Sequence, residues 1–134
     1  MLNANVLVVE DDGEVRQLLI DYLRLNRGIE VDGARDGVEA LHRIVSHHYD
    51  VMILDLMMPN MSGADILDSL AALISDPAVT MFDSPPAVLV ITSFASAALP
   101  DDLIVRRCPD VVHGIFRKPL DIAAVAARVG QYLA

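Results

Sequence analysis

Three adjacent carboxylates, Glu10, Asp11 and Asp12, directly follow the apolar run Val6-Leu7-Val8-Val9, and a second apolar run, Val51-Met52-Ile53-Leu54, ends at Asp55. Runs of this kind are expected for parallel strands covered on both faces. If the two are neighbours in one sheet, their terminal carboxylates share a rim. Two carboxylates about 4 Å apart repel by about 4 kcal/mol at an effective dielectric of about 20, so the cluster needs a cation, a proton or a chemical role to offset it. Mg2+ takes hard oxygen ligands, usually one or two carboxylates together with phosphate and water oxygens. Asp11 and Asp55 can supply the carboxylates, and Glu10 can act directly or through water. A carboxylate is also a nucleophile toward phosphoryl groups, and phosphoryl transfer asks mainly for positioning and charge neutralisation. Thr92 ends a third apolar run, residues 87–91, and Lys118 follows a fourth, residues 111–116. A hydroxyl there can donate a hydrogen bond to a phosphate oxygen, and an ammonium can neutralise another.

The elements that must position these groups alternate along the chain. Residues 5–9 form a strand, and 13–25 a helix with Val15, Leu18, Leu19, Tyr22 and Leu23 at helical spacing. Ile29–Ala34 is more polar and reads as an edge strand. Residues 36–46 open with Asp36 as N-cap and Glu39 three positions on, and Val38, Leu41 and Val45 form the expected buried stripe. Residues 51–54 are a central strand. A third helix starts at residues 62–65, with Ile66, Leu70, Leu73 and Ile74 on one face. Residues 76–86, with Pro77, Pro85 and Pro86, read as a long loop. Pro100 and Pro109 leave room for a short helix over Asp101–Arg107, and residues 121–133 form the last helix, with Ile122, Val125, Ala126 and Val129 inward. Five strands alternating with helices predict an α/β fold with a doubly wound parallel sheet and a site at the carboxyl ends of its strands.

At 134 residues the chain is expected to be one domain, 1–134. Its 54% hydrophobic content argues against disorder. A formal charge of −9 makes it a poor partner for nucleic acid or an anionic membrane. The single cysteine, Cys108, rules out an internal disulfide and fits a reducing compartment. With no run of membrane-spanning length and no signal-type leader, the expected location is cytoplasmic.

The segments VLVVEDD, LDLMMPNMSG, VLVITS and FRKPL, in that order, resemble the receiver domain of two-component response regulators over essentially the whole chain. The resemblance implies a flavodoxin-like sheet of order 2-1-3-4-5. It makes Asp55 the phosphoacceptor, with Glu10 and Asp11 the acidic pair at Mg2+ and the Met57 carbonyl a further ligand. Thr92 becomes the switch hydroxyl, and Lys118 the phosphate-binding lysine before a cis Pro119. The implied donor is a phosphohistidine on a sensor histidine kinase or histidine phosphotransfer protein. Output then passes to a protein that the sequence does not identify. One departure from the family pattern stands out. Ile115 occupies the position of the usual aromatic switch residue, and Phe116 beside it faces the opposite side of its strand. Met57 and Phe94, two residues after Asp55 and Thr92, are apolar and cannot orient water, which predicts a long-lived aspartyl phosphate.

Other readings compete residue by residue. Asp12 reads better as a helix cap than as a ligand. The four histidines read as bystanders; His47 and His48 adjoin and would point apart. Cys108 reads as packing. A flavin or nucleotide module would need a glycine- or serine-rich first loop in place of three acids. A phosphatase working through an aspartyl phosphate would want an acid where Met57 stands. A receiver-like interaction scaffold without phosphorylation is favoured only by Ile115 and the short fourth helix.

Overall fold

Val6 to Val9 and Val51 to Leu54 are all fully buried, a state open to a strand only when both its faces are covered. The computed structural model, which describes residues 4–25, 28–58, 62–76, 85–92 and 101–133, places them accordingly. Strand β1 (Ala4–Val9) lies between β2 (Ile29–Ala34) and β3 (Val51–Asp55); β4 (Ala87–Thr92) and β5 (Val112–Arg117) complete a parallel sheet of order 2-1-3-4-5. The predicted flavodoxin-like order is therefore observed, with β2 at an edge.

Side chains alternate between two apolar layers. Val6, Val8, Val51, Ile53, Leu89 and Ile91 face α1 (Gly13–Arg24) and α5 (Ile122–Gly130), through Leu19, Ile20, Leu23, Val125 and Val129. Leu7, Val9, Met52, Leu54, Val88 and Val90 face α2 (Gly37–Ser46), α3 (Gly63–Ser75) and α4 (Asp101–Arg107). The short fourth helix spans the expected residues and buries Ile104.

Helix α2 corrects the sequence reading. Its buried residues are Gly37, Ala40 and Ile44, while Val38 and Val45 are 52% and 39% exposed and Leu41 is half-buried. Small residues let the helix sit close to the sheet, and Arg43 reaches Asp32 on β2 at 3.8 Å, so the larger aliphatic groups turn outward. Helix α1 shows the same effect: Leu18 and Tyr22 remain exposed, and Ile20 takes a core position. The Asp36 carboxylate accepts from the Glu39 amide at 2.8 Å, as its capping role requires. Glu39 itself turns to Arg35 and Arg43; the reciprocal capping box is at α3, between Ser62 and Asp65.

Cys108 is a buried free thiol whose pKa burial pushes up. Most of the predicted 76–86 loop, residues 77–84, and Phe94 lie outside the described residues. Among the described residues no helix is long and apolar enough to cross a membrane.

Candidate functional site

In the β1–β3 ladder Val9 is level with Leu54, so the next residues, Glu10 and Asp55, emerge side by side at the rim. Both side chains are almost completely buried, at 0% and 1% exposure. Lys118 leaves the end of β5, its amide donating to the Thr92 carbonyl at 2.8 Å. Its ammonium then reaches across the sheet ends, with Nζ 2.8 Å from Glu10 Oε1 and 3.2 Å from Asp55 Oδ2. The Lys118–Pro119 peptide is cis. The other Asp55 oxygen, Oδ1, accepts from the Met57 amide at 3.0 Å. Asp11 is exposed at the mouth; one carboxylate oxygen each from Glu10, Asp11 and Asp55 lies within 4.8 Å of the other two.

The crowding shows in the protonation of the site. Burial, followed by the adjoining Asp55 carboxylate, pushes the Glu10 pKa up to about 8, against the pull of Lys118. Burial works to lower the Lys118 pKa, but its contacts with Glu10 and Asp55 outweigh this and hold the ammonium above its ordinary value. Among the described residues Glu10 Oε2 is buried without a hydrogen-bond partner. Such an oxygen is left either to a proton or to a cation. An all-oxygen donor set with this orphaned member fits a hard divalent ion such as Mg2+.

Strand alternation divides the rim. Glu10, Asp55 and Lys118 continue the positions that face α1 and α5, whereas Thr92, Ile115 and Arg117 continue those that face α2, α3 and α4. Thr92 is 1% exposed and one residue beyond Ile91, the partner of Asp55 on β4. Ile115 packs on the α4-side layer and Phe116 on the other, so the two do point oppositely. Arg117 forms an ion pair with Asp101, the first residue of α4.

The structure thus brings together Glu10, Asp11, Asp55 and Lys118, with the Met57 amide on Asp55. Asp12 lies apart in function: its carboxylate caps α1, accepting from the Glu14 and Val15 amides at 2.9 and 3.3 Å. No histidine joins the carboxylate cluster among the described residues.

Two supports escaped the sequence reading. Gly63 opens α3 directly against β3: a Cβ there would lie 2.5 Å from the Asp55 carbonyl oxygen and 2.7 Å from Leu56 Cα. Arg16 donates from Nη1 to the Glu10 carbonyl at 2.8 Å. A glycine at a helix start and an arginine within a helix each have commoner explanations, so neither carries a usable signal by itself.

Comparison with known proteins is concordant. The family model described as response regulator receiver domain matches residues 6–129. Among curated relatives, the chain is 40% identical over 80 residues to protein-glutamate methylesterase/protein-glutamine glutaminase 5 of Myxococcus xanthus, covering 59% of this chain and 23% of that protein. It is 44% identical over 62 residues to the sensor protein EvgS of Escherichia coli, covering 46% and 5%. Against the response regulator MprA of Mycobacterium tuberculosis it is 43% identical over 65 residues, covering 48% and 28%. The matched stretch is thus less than a third of each relative. Among solved structures, the Francisella response regulator 1452 receiver domain superposes with a TM-score of 0.75 at 25% identity, covering 98% of this chain and 97% of that one. The Thermotoga maritima response regulator TrrA, in complex with Mg2+ and BeF, gives a TM-score of 0.74 at 25% identity, covering 97% and 99%.

Proposed function

We propose that this chain, which belongs to the family of response regulator receiver domains, is a phosphorylation switch over residues 1–134 that accepts a phosphoryl group on Asp55. The observation that carries this reading is the Lys118 ammonium held between the buried carboxylates of Glu10 and Asp55. An Asp55 oxygen attacks the phosphorus of a phosphohistidine. The P–O bond forms as the P–N bond breaks, and the departing imidazole takes a proton from solvent. Lys118 moves its hydrogen bonds from the carboxylates to phosphoryl oxygens. Glu10, Asp11, Asp55 and the Met57 carbonyl would hold Mg2+, which when bound would neutralise charge on the phosphoryl group. Thr92 donates its hydroxyl to the new phosphate and biases an existing equilibrium of the surface around α4.

The donor is a sensor histidine kinase or histidine phosphotransfer protein. Beside Lys118 an apolar groove is lined by Val15, Leu18, Pro119, Leu120 and Ile122, with Leu18 58% exposed. An amphipathic helix carrying the histidine would bury that surface while delivering its imidazole to Asp55. Output is protein–protein contact in the cytoplasm; the charge of −9 disfavours direct nucleic-acid or membrane binding. Turnover is slow. Met57 is 56% exposed beside Asp55, and a thioether does not align water. Met57→Asn is expected to speed loss of the phosphoryl group several-fold, and an unchanged decay rate would refute that role.

A non-phosphorylated scaffold is the second reading, favoured by the aliphatic Ile115. Incubation with MgCl2 and a small phosphodonor, followed by mass spectrometry, separates the two. The switch takes up one phosphoryl group, located on Asp55 and lost in Asp55→Asn. Absence of that mass, together with absence of Mg2+-dependent beryllofluoride binding, would leave the scaffold.

A further inference from the structure

Glu10 is held through the peptides on both sides of it. The Glu10 amide donates to the Ala34 carbonyl on β2 at 3.0 Å, and the Glu10 carbonyl accepts from the Arg16 guanidinium at 2.8 Å. The aliphatic stem of Arg16 crosses β2 at Gly33, where an added Cβ would lie 3.2 Å from Arg16 Cδ and 3.0 Å from Ile20 Cδ1. Glycine at position 33 thus leaves the slot in which the stem lies. The guanidinium makes its one hydrogen bond among the described residues to this carbonyl. Glu10 is buried and reaches Lys118, whereas Asp11 is exposed. With Asp11 at the surface, the direction of its carboxylate follows from the peptide plane behind it.

We infer that Arg16 is a positioning residue for the cation-binding carboxylates: it fixes the Glu10–Asp11 peptide so that Glu10 turns inward and Asp11 stays over the mouth of the site. This inference rests on the reading of Glu10, Asp11 and Asp55 as a magnesium site. It makes a prediction of definite sign. A guanidinium acting through its charge alone repels Mg2+, so its removal would tighten binding. One acting through the carbonyl orients ligands, so its removal loosens binding, as loss of an outer hydrogen bond does at other metal sites.

The test is titration of the wild-type protein, Arg16→Met, Arg16→Lys and Gly33→Ala with MgCl2, each first checked for cooperative melting. Arg16→Met is expected to weaken Mg2+ binding about 10-fold, with Arg16→Lys between it and the wild type. Gly33→Ala keeps every charge but displaces the stem, and is expected to weaken binding about 3-fold; it decides the matter if Arg16→Met fails to fold. With a small phosphodonor, the Mg2+ concentration for half-maximal rate rises in step, while the rate at saturating Mg2+ stays close to wild type. Equal or tighter Mg2+ binding in the folded variants overturns the role of Arg16 and leaves the magnesium site standing. Failure of the wild-type protein itself to bind Mg2+ overturns both.

Discussion

The rim of the sheet has two sides with different physical characters. On the α1/α5 side, the buried carboxyl groups of Glu10 and Asp55 are tied by hydrogen bonds to the half-buried Lys118 ammonium, with one Glu10 oxygen unpartnered among the described residues. On the α2–α4 side, Ile115 is aliphatic and packs among apolar neighbours, while Arg117 and Asp101 join β5 to α4 by an ion pair at the surface. The first side stores electrostatic tension; the second is held by packing and screened contacts. Adjacent strand positions point to opposite layers, so a substitution on one side can leave the packing of the other in place.

The largest effect expected is that of Lys118→Met, which removes the cation from the first side only. The rate of phosphorylation by a small donor should fall about 100-fold; a rate within a few-fold of wild type would remove Lys118 from the chemistry. Next is the pH dependence of stability. In the Mg2+-free protein the Glu10 pKa stands at about 8 against an ordinary value of 4.5. The fold therefore holds this proton more tightly than the unfolded chain does. The stabilisation is complete below about pH 4.5 and is lost as pH rises through about 8, amounting to a few kcal/mol. Melting midpoints in a chelator should accordingly fall from pH 5 to pH 8.5. Asp55→Asn should raise the midpoint at pH 8.5 and have little effect at pH 5. A wild-type midpoint that climbs over this range would contradict the tension assigned to the first side. The smallest effect tests independence: Ile115→Ala should cost about 1–2 kcal/mol of stability and leave Mg2+ affinity within about 2-fold.

How far the sequence discloses this arrangement depends on what each residue does. The central strands are readable because burial on both faces demands unbroken aliphatic runs, and the order of the four motifs places their ends. The acidic pair, Asp55 and Lys118 are readable because a charge at the end of an apolar run is conspicuous. Helix faces are less so. In α2 the contact with the sheet is made by Gly37, Ala40 and Ile44, and a stripe drawn through the bulkiest residues selects Val38 and Val45, which face outward. Small residues mark close approach, and hydropathy undervalues them. Arg16 and Gly63 are unreadable for another reason. One acts on a main-chain carbonyl and the other by lacking a side chain, and neither interaction leaves a pattern of residue types.

Gly63 leaves only a hydrogen atom's width between the first turn of α3 and the main chain of Asp55 and Leu56. Helix α3 and strand β3 are in effect riveted together at this point, main chain against main chain with no side chain between them. A single methyl group at that rivet would act as a wedge, prising the seat apart while leaving every ionisable group in the protein as it was.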